Sequence, residues 1–143
     1  MAPLGLFLIS FFASLFSSVP GTIERAFLEN DAGRLAELFA VQSPVLVSLP
    51  DPIAFSDQLS GVQAYYVFQR IFRARPTIEF FPETERPFAV QSAGVIFKAR
   101  WSFVDKATQN QVGLQVFIFL KPEAPAGTGR FSWVIAEIKA ERI

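Results

Sequence analysis

The chain of 143 residues carries 13 Lys+Arg and 13 Asp+Glu. Its net charge is therefore zero, so no basic footprint points to nucleic acid and charge names no partner. It holds no Cys and no His, which excludes disulfides, thiolate nucleophiles, Cys-based metal sites and Ser-His or Cys-His catalysis, and removes the commonest transition-metal ligand. Proton transfer is left to carboxylates, Tyr, Lys and Arg, and neither a metal nor a cofactor is expected. A chain of this length can bury one core without staples. Its 17 Phe fit either an aromatic-lined cavity or plain core filling.

The N-terminus reads "MAPLGLFLISFFASLFSSVPG" and contains no charged side chain. Its apolar run, Leu4 to Phe16, is 13 residues long. A bilayer span needs about 20 apolar residues and a signal-peptide core about 7–15. Residues 1–21 are therefore expected to be a signal peptide, with Val19 and Gly21 preceding a cut before Thr22, and residues 22–143 to be the domain. Only the terminal amine supplies positive charge ahead of the run, and no Cys is present to take a lipid. Export to a periplasmic or extracellular location is expected. The alternative is a chain held at the membrane by an uncleaved first segment, or a first helix packed on the domain.

From Thr22 the spacing turns helical. Ile23, Ala26 and Phe27 share one face, and Leu35, Leu38 and Phe39 another. Asp31 follows the break at "END" and suits the N-cap of a second short helix. "SPVLVSLPDP" is a β-rich run closed by two prolines. "SDQLSGVQAYYVFQRIFRARP" predicts a helix ended by Pro76 and capped by Ser56 or Asp57. On its wheel Gly61, Ala64, Tyr65, Phe68, Ile71 and Phe72 gather on one side, with Gln63, Tyr66, Gln69, Arg70 and Arg73 opposite. Tyr65 is thus expected to be buried, with its hydroxyl aimed at a partner, and Tyr66 exposed.

Strands follow. "TIEFF" stops at Pro82, and "PETERP" is a loop. In "GVIFKARWSFV" Val95, Phe97, Ala99, Trp101 and Phe103 face one way and Lys98, Arg100 and Ser102 the other. "DKATQNQ" turns the chain. "VGLQVFIFLK" is apolar on both faces at Phe117 and Phe119, and after "PEAPAGTG" the segment "RFSWVIAEIKAERI" is a last long strand. The order predicts an α+β fold: N-terminal helices packed on a curled antiparallel sheet of four to five strands. A strand apolar on both faces must be covered twice, so a homodimer through the sheet, with Phe117 and Phe119 in its face, is expected.

The segments "ENDAGRLAELFA", the strand leading into "LPDP", "LSGVQAYYVFQRIF" and the strand-rich tail together resemble the nuclear transport factor 2-like superfamily, a cone-shaped α+β fold that includes SnoaL-like members. The ending "FSWVIAEIKAERI" is similar to that of small secreted bacterial families in this superfamily that have no assigned function. The resemblance spans residues 22–143 and implies a pocket between the concave sheet face and the helices, lined by Tyr65, Phe68, Phe97, Trp101 and Trp133. It does not imply an activity, because the fold hosts isomerases, dehydratases, epoxide hydrolases and plain binding or dimerisation modules.

Asp51 is the residue on which chemistry would turn. In ketosteroid-isomerase-like and SnoaL-like relatives a carboxylate near the end of the first strand acts as a base inside the cone. Asp51 lies in that region, flanked by Val47, Leu49, Ile53 and Phe55, and desolvation there would suit proton abstraction next to a carbonyl. Tyr65 would donate to the developing oxyanion. The simpler reading of "PDP" is turn chemistry. Asp57 reads as a helix cap and Glu79 as a solvated strand residue. Arg70, Arg73 and Arg75 read as a solvated face, and Trp101 and Trp133 either stack a flat ligand or fill the core. Arg100 lies on a polar face, so an Asp–Arg–Asp site is not expected, and a His–Asp dyad cannot exist. The expectation is an exported, non-enzymatic domain that binds a small apolar ligand or a protein partner. The alternative is a small acid/base enzyme of isomerase or dehydratase type, using Asp51 and Tyr65.

Overall fold

The computed structural model describes residues 19–83, 88–90, 94–124 and 131–143; the apolar run Leu4 to Phe16 and most of the expected leader lie outside them. Residues 19–28 are helical (α1), so the expected cut before Thr22 falls within this helix. Ile23, Ala26 and Phe27 are fully buried on one face, as their spacing predicts. Asn30, in the left-handed region at φ 54°, ends the helix, a conformation that Asn tolerates well. Asp31 caps the short helix Ala32–Ala36 (α2) by accepting from the Arg34 N–H at 2.9 Å.

Strand β1 (Val45–Leu49) buries Val45, Val47 and Leu49 and turns into β2 (Phe55–Leu59). β2 corrects the sequence reading, which took Ser56 and Asp57 into a helix. Its residues Ser56, Asp57 and Gln58 are all exposed. A polar edge strand carries no period-2 signal, and polar or charged side chains there block further pairing. Helix α3 (Gly61–Ala74) begins after Ser60, whose hydroxyl accepts from the Gln63 N–H while the Gln63 side chain accepts from the Ser60 N–H. That reciprocal capping box, rather than Asp57, starts the helix.

The remaining strands are β3 (Thr77–Pro82), β4 (Phe88–Val90), β5 (Gly94–Asp105), β6 (Asn110–Glu123) and β7 (Ser132–Arg142). The sheet order is β2-β1-β7-β6-β5-β3, with β4 pairing to β5 off this path. Six strands in the main path, plus the short β4, replace the four to five expected. The sheet is also not wholly antiparallel, because β1 runs parallel to β7, Val47 opposite Ile138. That pairing joins segments about ninety residues apart in sequence, and no local pattern announces it. The register shifts between Thr77 and Glu79 in the β3–β5 pairing and at Phe119/Leu120 in the β6–β7 pairing.

The helices cover one face, here called inner. Phe27 of α1 stacks on Phe80 of β3 at 4.4 Å between ring centroids and meets Phe72 and Trp101 edge-on at 5.4 and 5.1 Å. β5 alternates as expected, with Phe97, Ala99, Trp101 and Phe103 inward. The Trp101 indole N–H donates to the Thr77 hydroxyl at 2.9 Å, so the buried ring leaves no polar atom unmet.

Candidate functional site: a filled interior and an open sheet face

The residues expected to line a pocket in the cone are mostly packed against one another. Phe68 is 0% exposed and meets the rings of Phe27, Phe39 and Phe72 at centroid distances of 6.3, 6.1 and 5.8 Å. Phe97 stacks on Phe80 at 6.3 Å, and Trp101 touches Phe27, Phe72 and Phe103. These rings occupy the space between helices and sheet, with the edge-to-face and offset geometry that aromatic cores favour. Trp133 is half-buried at the margin of the same core. The 17 Phe supply much of this filling.

Tyr65 is half-buried rather than buried, a correction to the wheel, and its hydroxyl accepts from the Gln69 side-chain amide at 3.3 Å. It stands between two surface hollows, one bounded by Glu29, Asp31, Gln69 and Arg73, the other by Phe39, Val41, Val62 and Tyr66. Tyr66 is exposed, as expected, and its ring meets Tyr65 edge-on at 5.0 Å.

Asp51 is exposed in the turn between β1 and β2, next to a cis Asp51–Pro52 bond. The structure does not bring it to Tyr65. The carbonyl of Pro52 accepts from the Arg75 guanidinium at 3.1 Å, at the C-terminal end of α3. Tyr65 lies near the other end of the same helix, about 15 Å of rise away. The base and the donor of the acid/base alternative therefore sit at opposite ends of α3. Asp57 is exposed on β2, where its carboxylate accepts from the Gln58 N–H at 2.7 Å, and Glu79 is exposed on β3.

Arg70 and Arg73 form the solvated face expected of them, but Arg75 does not. Besides reaching Pro52, its guanidinium lies 3.8 Å from the carboxylate of Asp105, which is itself 3% exposed. Asp105 also accepts from the Ala107 N–H at 3.0 Å. Arg75 thus ties the β1–β2 turn, the end of α3 and the β5–β6 turn together. "RARP" gave no sign of this, because both partners are distant in sequence.

The other face of the sheet is not covered by a helix among the described residues. Cross-strand register sets Ile96, Phe119 and Glu137 in one row, Lys98, Phe117 and Lys139 in the next, then Arg100, Gln115 and Glu141. Ile96, Phe117, Phe119, Glu137, Lys139 and Glu141 line a hollow of about 250 Å³. The Lys98 ammonium lies 5.6 Å from the Phe117 ring centroid, and Lys139 pairs with Glu141 at 3.9 Å. The ring of Phe119 leans over Gly94, where a Cβ would stand 2.5 Å from its Cζ. Phe117 and Phe119 were legible in the sequence as apolar residues on a second face. The charged rim was not singled out, though "EIKAE" alternates Glu137, Lys139 and Glu141 with the buried Ile138 and Ala140.

Among the described residues no group of three or more His, Cys, Asp or Glu could hold a metal ion. No helix there is long and apolar enough to cross a membrane.

No family model matches the chain, and no curated protein matches it. Solved structures do. A ketosteroid isomerase-like protein from Erwinia carotovora atroseptica SCRI1043 superposes with a TM-score of 0.66 at 14% identity, over 92% of this chain and 95% of that one. The fold is nuclear transport factor 2-like. A DUF4783 family protein from Bacteroides uniformis ATCC 8492 shares this fold with a TM-score of 0.64 at 12% identity, over 87% and 97% of the two chains. So does a nuclear transport factor 2-like protein of unknown function in nutrient uptake from Rhodospirillum rubrum ATCC 11170, with a TM-score of 0.59 at 12% identity, over 90% and 96%. At these identities the nuclear transport factor 2-like likeness carries the architecture and no activity.

Proposed function

We propose that the chain is an exported, non-enzymatic binding domain that works through its open sheet face rather than through the interior of the cone. The observation that carries this reading is the contrast between the two faces. Phe27, Phe68, Phe80 and Trp101 fill the inner side at 2% exposure or less, whereas Phe117, Phe119 and Ile96 border a hollow with a charged rim on the other. An apolar centre with a polar rim is the anatomy of an interaction surface. The acid/base alternative through Asp51 and Tyr65 has the separation of those residues against it.

Export rests on the uncharged apolar run Leu4 to Phe16. A cut before Thr22 keeps Ile23, Ala26 and Phe27 in the core and gives up Val19, at the margin of it. The intact mass of the purified protein tests this part: a mass beginning at Thr22 supports it, and a full-length mass in the membrane fraction refutes it.

The binding face is tested by titrating submicromolar protein with the apolar anionic dye anilinonaphthalene sulfonate. Binding should be lost on changing Phe117→Asp together with Phe119→Asp, and kept in Tyr65→Phe and Trp101→Phe. Binding that follows Tyr65 or Trp101 instead would return the site to the cone and overturn the reading.

A further inference from the structure

We infer that the exposed stripe of α3, together with Val41, docks the domain reversibly on an anionic lipid surface. The inference goes beyond the sheet-face reading and does not depend on it, because it concerns the helical side of the molecule. α3 buries Ala64, Val67, Phe68, Ile71 and Phe72. At about 100° per residue, Val62, Tyr66, Arg70 and Arg73 fall within an arc of about 80° on its other side. All four are exposed. The stripe is apolar in its first half and cationic in its second, and α3 contains no Asp or Glu.

Apolar exposure is concentrated at the start of this stripe. Val41 is 86% exposed and Val62 68%, and both border one hollow of about 430 Å³ with the exposed Tyr66. Scattered singly, such side chains need no explanation, but gathered together they mark a contact surface. Val41 is also held in place. Its N–H donates to the carboxylate of the buried Glu123 at 2.8 Å, and on either side of it the Ala40 N–H donates to the Ile135 carbonyl at 3.0 Å and the Gln42 side-chain amide to the Ala124 carbonyl at 3.0 Å. An apolar side chain on a backbone fixed in this way gives up little conformational freedom on binding.

The charges decide what the surface meets. Neither Arg70 nor Arg73 is held in an ion pair among the described residues. The carboxylates that share a hollow with Arg73, Glu29 and Asp31, both pair with Arg34, at 3.2 and 3.7 Å. Two guanidiniums therefore remain beside the apolar cluster, and each suits a phosphate group, which it meets through two parallel N–H donors. A protein hot spot forms where a pocket closes over a buried anchor. Here the valines stand out from the surface instead. Protruding apolar side chains, a Tyr whose ring sinks while its hydroxyl stays wet, and cations at headgroup depth are what a bilayer interface accepts. From Val62 to Arg73 the helix rises about 16 Å, and with this stripe toward the headgroups it lies in the plane of the surface.

The test is flotation of the purified protein with vesicles of phosphatidylcholine, either alone or with about 30% phosphatidylglycerol. The inference predicts binding to the anionic vesicles and little to the others, falling as salt rises from about 50 to 500 mM. Arg70→Gln and Arg73→Gln should each weaken binding about fivefold. Val41→Asp combined with Val62→Asp should weaken it by on the order of tenfold or more. All four side chains are exposed, so these changes leave the core intact, and far-UV circular dichroism checks this. Phe117→Asp with Phe119→Asp should leave vesicle binding unchanged. Equal binding to both kinds of vesicle, or binding that follows Phe117 and Phe119 instead, overturns the inference. So does binding that ignores the α3 and Val41 changes, as insertion of an uncleaved Leu4–Phe16 run would. Absence of binding to either vesicle overturns it as well, and passes the stripe to a protein partner with an acidic surface.

Discussion

Replacing Phe68 with Ala asks whether the interior is a core or a cavity wall. Phe68 is 0% exposed and its ring meets Phe27, Phe39 and Phe72. Truncating a ring packed on several sides loses its transfer free energy and leaves a void that the neighbouring rings fill only in part, which costs about 3–5 kcal/mol. Set against a total stability of about 5–15 kcal/mol for a domain, that is a large fraction. Urea unfolding followed by circular dichroism reads it directly. With a slope of about 1.5 kcal/mol per molar, the midpoint should fall by about 2–3 M. A side chain lining an open pocket already borders empty space, so its removal creates little new void. A loss below about 1 kcal/mol for Phe68→Ala would therefore refute the filled interior. Tyr65→Ala, half-buried between two surface hollows, serves as the comparison and should cost clearly less.

Three further outcomes are expected. Ser60→Ala removes one half of the capping box and should cost about 0.5–2 kcal/mol, whereas Asp57→Ala, on an exposed edge strand, should stay within about 0.5 kcal/mol; equal effects would place the cap wrongly. Asp105→Ala removes the carboxylate beside Arg75 and the acceptor of the Ala107 N–H, and should cost about 1–3 kcal/mol by urea unfolding, more than Arg70→Ala, which should be near neutral. Gly94→Ala drives a Cβ to 2.5 Å from the Phe119 ring and 2.8 Å from the Leu120 carbonyl. It should lose about 1–3 kcal/mol through overpacking, and Phe119→Ala combined with it should recover part of that loss.

The features that could be read from sequence were those set by neighbours along the chain. The Asp31 cap, the inward alternation of Phe97, Ala99, Trp101 and Phe103, and the exposure of Tyr66 all follow from local spacing. The Ser60 cap was equally local, since "SGVQ" is a capping-box pattern, and Asp57 merely stood nearer the expected start. β2 escaped because an edge strand can be polar on both faces. Other features depend on residues distant in sequence. Val47 lies beside Ile138 in a parallel pair, Arg75 reaches Pro52 and Asp105, and Phe27 meets Phe68, Phe80 and Trp101 across three other elements. Whether the phenylalanines lined a cavity or filled it was such a question, because the pattern that turns them inward is the same in both cases. For the candidate site, the sequence pointed to Phe117 and Phe119 but also to an Asp51–Tyr65 pair that the course of α3 holds apart.

The absence of cysteine makes the most direct measurement a clean one. A single Cys placed at Ala99, which is 0% exposed on the inner face, and another at Ser102, on the opposite face of the same strand, report the two sides of the sheet through their rates of reaction with a thiol-specific disulfide reagent at submicromolar protein. The account predicts that Ser102→Cys, half-buried on that face, reacts readily in the folded protein. Ala99→Cys should be slowed by a factor set by the stability of the whole domain and should be released only as the domain unfolds. Rapid reaction at Ala99→Cys in the folded protein, at a rate near that of Ser102→Cys, would mean that solvent and ligands reach the interior, and would contradict the claim that the working surface is the open face of the sheet.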